Sequence, residues 1–508
     1  MTAAVAIPTP RTESVFRPAL LLMSGRTLAF AATFFVPVVL ARIFDPAQFG
    51  TYKQLFLIHS SAYLVAQLGM ATSLYYFLPS ASQEAGRYVA NSMLFLGTAG
   101  LACFGALVLA APKLAHWLSN SELSGYLPWI GLYLFLMMLS AALEIVLISR
   151  GQYFRASACY ALSDLARAAA FLLPVLLFRQ LEWLLKGAVV VAFLRVLFTF
   201  FYFRREFRGS FTPDRVLFKS QLAYALPFAA AVVIEIVQAS LPQYAVSYLF
   251  NPATFAIFAV GCLQVPLVDF AASPTSDVMM VKMQERLAEG RKPAVVAIWH
   301  DTTWKLALLF FPLAVFSVVA ARQIILVLFT VKYAASVPIF MAWSTMILLS
   351  SLQVDGVMRV FAQTRFLLAL NLMRLAIIVG LLKSSLSGFG LLGPVLVIVL
   401  ATLVFKAAAL IRMKRLFAVS AAKLLPWGSL AALLGAATGA GAAAWAVKSQ
   451  MHVATVPLLF AMGLAYTVTY ITLVWYFDLL NTGEKLALAQ WARRLQAATA
   501  GAFDYGKG

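Results

Sequence analysis

The 508-residue chain has little charge: only 11% of its residues are Asp, Glu, Lys or Arg. A soluble domain carries roughly a quarter, so this scarcity, with 63% hydrophobic residues and a mean hydropathy of +0.89, excludes a water-soluble enzyme. Cysteine is scarce too. Cys103, Cys159 and Cys262 sit in apolar runs without CxxC spacing, which excludes a disulfide framework and a thiolate centre. His59, His116, His300 and His452 are scattered without an HExxH pattern, so no metal site is expected. No Walker A sequence is present, which removes ATP as the direct energy source. No small-residue cleavage site follows the first apolar run, which therefore reads as a retained span.

Acidic residues are the rarer sign, 19 against 39 Lys and Arg, for a net charge of +20. A soluble protein with this surplus would suggest nucleic acid. Here the surplus reads against a membrane instead. The sequence holds about fourteen apolar stretches of the ~20 residues needed to cross a bilayer core, the first near 18–40 and the last near 454–477. An even count puts both termini on one side. With the N-terminus inside, 24 of the 39 basic residues fall on inner segments and 9 on outer ones, which predicts cytoplasmic termini. Every loop is short, leaving no room for an outer catalytic domain.

Phe44-Asp45-Pro46-Ala47-Gln48-Phe49-Gly50-Thr51-Tyr52 recurs as Phe250-Asn251-Pro252-Ala253-Thr254-Phe255-Ala256-Ile257-Phe258. Both copies fall in outer turns, after spans 1 and 7. The recurrence predicts an all-α polytopic membrane protein of two six-helix lobes related by pseudo-two-fold symmetry, with an extra C-terminal pair. The expected boundaries are a tail at 1–17, an N-lobe at 18–203, a basic linker at 204–219, a C-lobe at 220–411, extra helices within 426–477 and a tail at 478–508.

The run Leu40 to Tyr52, with Leu241-Pro242-Gln243-Tyr244, Val265-Pro266 and Ser273-Pro274 around the second copy, resembles the polysaccharide-biosynthesis flippases (Wzx type) of the MOP exporter superfamily. The resemblance implies a flippase, not an enzyme, in the bacterial inner membrane. Its cargo would be an undecaprenyl-pyrophosphate-linked oligosaccharide for O-antigen, exopolysaccharide or capsule. It implies partners among the glycan polymerases and glycosyltransferases, no nucleic acid and no cofactor. A multidrug or small-molecule antiporter and a lipid II flippase of the same superfamily are the alternatives. A glycan polymerase or a non-transporting scaffold ranks lower.

Charges inside spans are costly and mark cargo or ion paths. Arg26 is roughly 12 Å deep in span 1 at 1.5 Å per residue; Arg195 in span 6 and Arg374 in span 11 reach a similar depth. Arg suits phosphate because its planar fork binds two oxygens at once. The three are candidate pyrophosphate ligands, with snorkelling or carboxylate pairing as the competing reading, and Lys53 is a weaker fourth. By the resemblance, Arg26 matches a first-helix arginine that helps bind the lipid pyrophosphate. Asp164 and Arg167, spaced i,i+3, read as a structural pair, with re-pairing between transport states as the alternative. Glu235, isolated near the middle of span 7, and Asp269 in span 8 are candidates for ion coupling. Pro227 and Pro242 predict kinks in a gating helix.

Overall fold

A computed structural model describes residues 34–80 and 83–480, and among them every long element is helical. Arg26 lies outside the described residues. Nine helical stretches are long and apolar enough to cross a membrane, or twelve if each of three bent pairs is one span. One of the nine, the 54-residue stretch Thr364–Phe417, is two helices, α17 (Thr364–Phe389) and α18 (Gly393–Phe417), packed on one another. The expected first span is described only from Phe34, as α1 (Phe34–Ile43). Fourteen is thus the count from the sequence, and nine to twelve the count among the described residues.

The chain divides into two compact units, Met1–Ala259 and Val260–Gly508. The first contains α2 (Pro46–Ala66), α3 (Met70–Ser80), α4 (Ala85–Leu109), α5 (Ala111–Trp117), α6 (Leu123–Leu139), α7 (Leu143–Ser149), α8 (Tyr153–Phe178), α9 (Leu181–Glu206) and α10 (Arg215–Leu249). Helix α10, expected in the second lobe from the repeat, packs in this unit against α2, α3 and α4. Buried polar groups hold it there. Gln54 donates to Ser247 Oγ (2.8 Å) and to the Leu118 carbonyl (3.1 Å), while Asn120 donates to Gln54 Oε1 (2.6 Å). Gln221 donates to Ser73 and Ser92 at 2.9 and 2.6 Å. Apolar surface gives no drive to pair helices already in lipid, so such bonds and close packing do that work.

The repeated motif is a pair of helix caps. Asp45 accepts from the Gln48 amide (2.8 Å) and Asn251 from the Thr254 amide (2.9 Å), each followed by a proline in the first turn of α2 and of α11 (Pro252–Gly261). This is the helix N-cap chemistry of Asp and Asn. The repeated aromatics Phe44, Phe49, Phe255 and Phe258 are fully buried anchors. The two copies also touch: a Cβ on Gly50 would lie 1.8 Å from the Pro252 carbonyl oxygen.

The second unit continues with α12 (Pro266–Ala288), α13 (Lys292–Val319), α14 (Ala321–Phe329), α15 (Val337–Leu349), α16 (Val354–Val360), α17, α18, α19 (Trp427–Gln450) and α20 (Thr455–Tyr476). Helix α13 is its spine, packing on α12, α15 and α19. Trp299, fully buried, donates its indole N–H to the Leu424 carbonyl (3.0 Å). The α19–α20 pair docks through Tyr466 and Tyr470, whose hydroxyls donate to the carbonyls of Ala437 and Leu308.

Both units expose large apolar side chains: Leu173, Leu177, Phe193 and Phe201 in the first, Phe460, Leu464 and Trp475 in the second. Water would not tolerate apolar faces of this extent; hydrocarbon does. The protein is a multi-pass membrane protein.

Candidate functional site

Helices α6, α7, α8 and α9 of the first unit line a cavity of about 950 Å³. Helices α8 and α9 form an antiparallel hairpin turned at Arg179, which adopts the left-handed conformation (φ 55°). They touch at Gly187, where a Cβ would meet the Ala170 carbonyl oxygen at 2.5 Å. Further along the hairpin the facing side chains Ala158, Ala166, Ala188 and Ala192 are small, which leaves the volume open. Met137, Leu143 and Leu147 supply an apolar wall. Part of the rim is apolar and exposed: Leu162 (71%), Leu194 (56%) and Phe198 (57%) line the cavity.

Four arginines line this largely apolar space: Arg155 and Arg167 on α8, Arg195 and Arg205 on α9. The Gly187–Ala170 contact fixes the register of the hairpin. Along it the order is Arg205, Arg155, Arg195, Arg167, a ladder spanning about 22 Å at 1.5 Å per residue. Arg205 has no hydrogen-bond or ion-pair partner among the described residues and is exposed. Arg155 donates to Gln152 Oε1 (3.1 Å).

Arg195 is the most constrained of the four. Its Nε donates to Ser140 Oγ (3.0 Å), and its Nη2 to Glu144 Oε2 (2.8 Å) and to the Ser140 carbonyl (3.5 Å). Glu144 is buried at the start of α7, where its other oxygen accepts from Cys159 Sγ (3.5 Å). Of the five N–H donors of a guanidinium, the two on Nη1 have no partner among the described residues. Arg195 thus has one edge fixed and one left for an anion, on a side chain that lines the cavity. Arg167 forms an ion pair with Asp164 on the same helix, and Tyr133 of α6 hydrogen-bonds with it. Asp164 and Arg167 both line the cavity; Glu144 does not.

The remaining sequence-predicted residues are dispersed. Lys53 is half-buried on α2, its ammonium over the rings of Phe49 (5.5 Å) and Tyr52 (6.0 Å), the geometry of a cation–π contact. Arg374 is half-buried on α17 of the second unit, near enough to Lys406 to repel it. Lys406 donates to the Leu352 carbonyl (2.6 Å) and stands 3.9 Å from Asp355. Glu235 on α10 and Asp269 in the first turn of α12 are exposed, with no hydrogen-bond or ion-pair partner among the described residues. Helix α10 bends by 50° between Arg215–Pro227 and Val232–Leu249, so the break follows Pro227 and the second arm runs on through Pro242.

A family model described as a polysaccharide biosynthesis protein matches residues 39–338, more than half of the chain. The chain belongs to that family. Comparison with curated protein sequences gives no match. Among solved structures, the chain is similar to the lipid II flippase MurJ in an inward closed conformation, with a TM-score of 0.71, 11% identity, and 92% of this chain and 100% of that one covered. It is also similar to an inward-facing multidrug resistance MATE family transporter of the MOP superfamily, with a TM-score of 0.59, 14% identity, and 79% and 100% covered. A third is a MOP superfamily transporter from Pyrococcus furiosus described by the reverse polarity of its binding pocket, with a TM-score of 0.54, 13% identity, and 80% and 95% covered. At these identities the likeness shows the fold, that of the MOP transporters. In this member of the polysaccharide biosynthesis family, Arg155 and Arg205 were legible from sequence only as cytoplasmic-side charges. Nothing in the spacing along one helix shows that two helices bring them to one cavity with Arg195.

Proposed function

We propose that the protein is a flippase that carries an undecaprenyl-pyrophosphate-linked oligosaccharide across the bacterial inner membrane by alternating access, with both termini in the cytoplasm. The observation that carries this reading is the ladder of four arginines, against two carboxylates, in a largely apolar cavity whose rim is in part apolar. A lipid pyrophosphate is the matching chemistry: a multiply charged head for the guanidiniums and an isoprenoid chain for the rim. A cation-selective drug exporter would need the opposite sign of charge there. Arg195, with its free Nη1 edge, is the central ligand in this reading. Arg26, Arg374 and Lys53 are further candidate ligands for the phosphates at other stages of transport, and Glu235 or Asp269 couples the cycle to an ion gradient through a helix hinged after Pro227. Glycan polymerase and glycosyltransferases of the same pathway would supply and consume the cargo.

The fold likeness to a lipid II flippase favours one second reading, in which the cargo is the peptidoglycan precursor. The two cargoes share the lipid pyrophosphate and differ in the glycan. Leaflet-resolved transport in vesicles containing the purified full-length protein separates them, with a lipid-linked oligosaccharide and lipid II as parallel substrates. Transport of the oligosaccharide that falls at least about tenfold in Arg195→Ala, the loss expected from about 1.4 kcal/mol of anion binding, supports the proposal. Transport of lipid II alone supports the second reading.

A further inference from the structure

The two deep arginines of the cavity are paired in different ways, and the difference has a use. Glu144 does not line the cavity, its side chain is 6% exposed and its second oxygen accepts from Cys159, so it holds Arg195 from a position that the cavity does not reach. Asp164 lines the cavity beside Arg167, one turn away on the same helix, and their side chains are 25% and 30% exposed. An anion that enters the cavity therefore reaches both members of the second pair and only the arginine of the first.

We propose that Asp164 is an internal counter-ion that occupies Arg167 while the cavity is empty and that a phosphate group of the cargo displaces. The inference rests on the reading of the cavity as a pyrophosphate site. A carboxylate offers Arg167 one charge on a short, single-bonded stem. A pyrophosphate offers more charge and two sets of oxygens at the spacing a guanidinium fork accepts. Arg195 lines the same cavity and its two Nη1 donors have no partner among the described residues, so the phosphates gain a second cation that Asp164 does not face at hydrogen-bond distance. Asp164 thereby sets the affinity. It weakens capture enough that the headgroup leaves again, because the carboxylate returns to the guanidinium as the phosphate departs.

The test is binding of farnesyl pyrophosphate, a short isoprenoid pyrophosphate, to the purified full-length protein in detergent at low salt. The wild-type protein should bind it in competition with inorganic pyrophosphate, and farnesol should not compete. Asp164→Asn should tighten binding about fivefold, the reach of a partly exposed ion pair, and should give no gain in an Arg167→Ala background. Asp164→Ser serves the same comparison if the Asn variant does not fold. Equal or weaker binding by a folded Asp164 variant, with wild-type binding intact, overturns the exchange and leaves the flippase reading standing. Absence of binding by the wild-type protein overturns both.

Discussion

The contrast between Glu144 and Asp164 makes opposite demands on stability. Removing the buried partner of Arg195 leaves an uncompensated charge, at about 3–5 kcal/mol, whereas a partly exposed i,i+3 pair such as Asp164–Arg167 is worth at most about 1 kcal/mol. Thermal unfolding in detergent should therefore drop sharply for Glu144→Ala and barely move for Asp164→Asn. Equal shifts would contradict the assignment of the first pair as fixed and the second as exchangeable. Gly50 makes a sharper demand. Its Cβ would lie 1.8 Å from a backbone carbonyl that a capping turn holds in place, and overpacking of this kind costs about 1–3 kcal/mol or more. Gly50→Ala should lower the yield of folded protein. Gly105→Ala, on the same scale, should be neutral or mildly stabilising, since no neighbour stands within 4 Å of its Cβ and Ala is the better helix former. The i,i+3 spacing showed the Asp164–Arg167 pair in the sequence. The partner of Arg195 is 51 residues away on another helix, and no periodicity announces it.

Among the elements, α10 is the one whose shape follows most directly from its residues. Proline removes a backbone hydrogen bond and crowds the preceding turn, and the 50° bend follows Pro227. Pro242 does not break the helix in the same way. Spin labels at Val216 and Leu249, both exposed, would stand about 50 Å apart on a straight helix and several ångström closer on the bent one. Pro227→Ala should move the distance toward the straight value; an unchanged distance would mean that tertiary packing, not the proline, sets the bend. The capping motif at Asp45 and Asn251 was legible in the same way, because Asx-Pro pairs carry their own local chemistry. The cavity was not. Its volume comes from small residues on two helices that meet at Gly187, with α6 and α7 lining the rest, a coincidence of packing that a single helix pattern does not encode.

At the scale of the whole molecule, the scarcity of charge, the apolar spans and the repeat were sufficient to expect a membrane transporter of two repeated halves, and the family match and fold agree with that class. Bent helices divide apolar runs, so the described residues hold nine to twelve candidate spans beside the fourteen read from the sequence, and α10 packs against α2, α3 and α4. Most of the basic residues lie at helix ends and loops, a few such as Lys53, Arg374 and Lys406 are dispersed within helices, and Arg155, Arg167, Arg195 and Arg205 line one largely apolar cavity. On the proposed function these four arginines move a lipid pyrophosphate between leaflets. The decisive experiment is leaflet-resolved transport of a lipid-linked oligosaccharide in vesicles containing only this protein. Protein-dependent movement that falls at least about tenfold in Arg195→Ala is expected. Movement that persists unchanged in folded Arg195→Ala, or no movement by the wild-type protein under an imposed ion gradient, would contradict it.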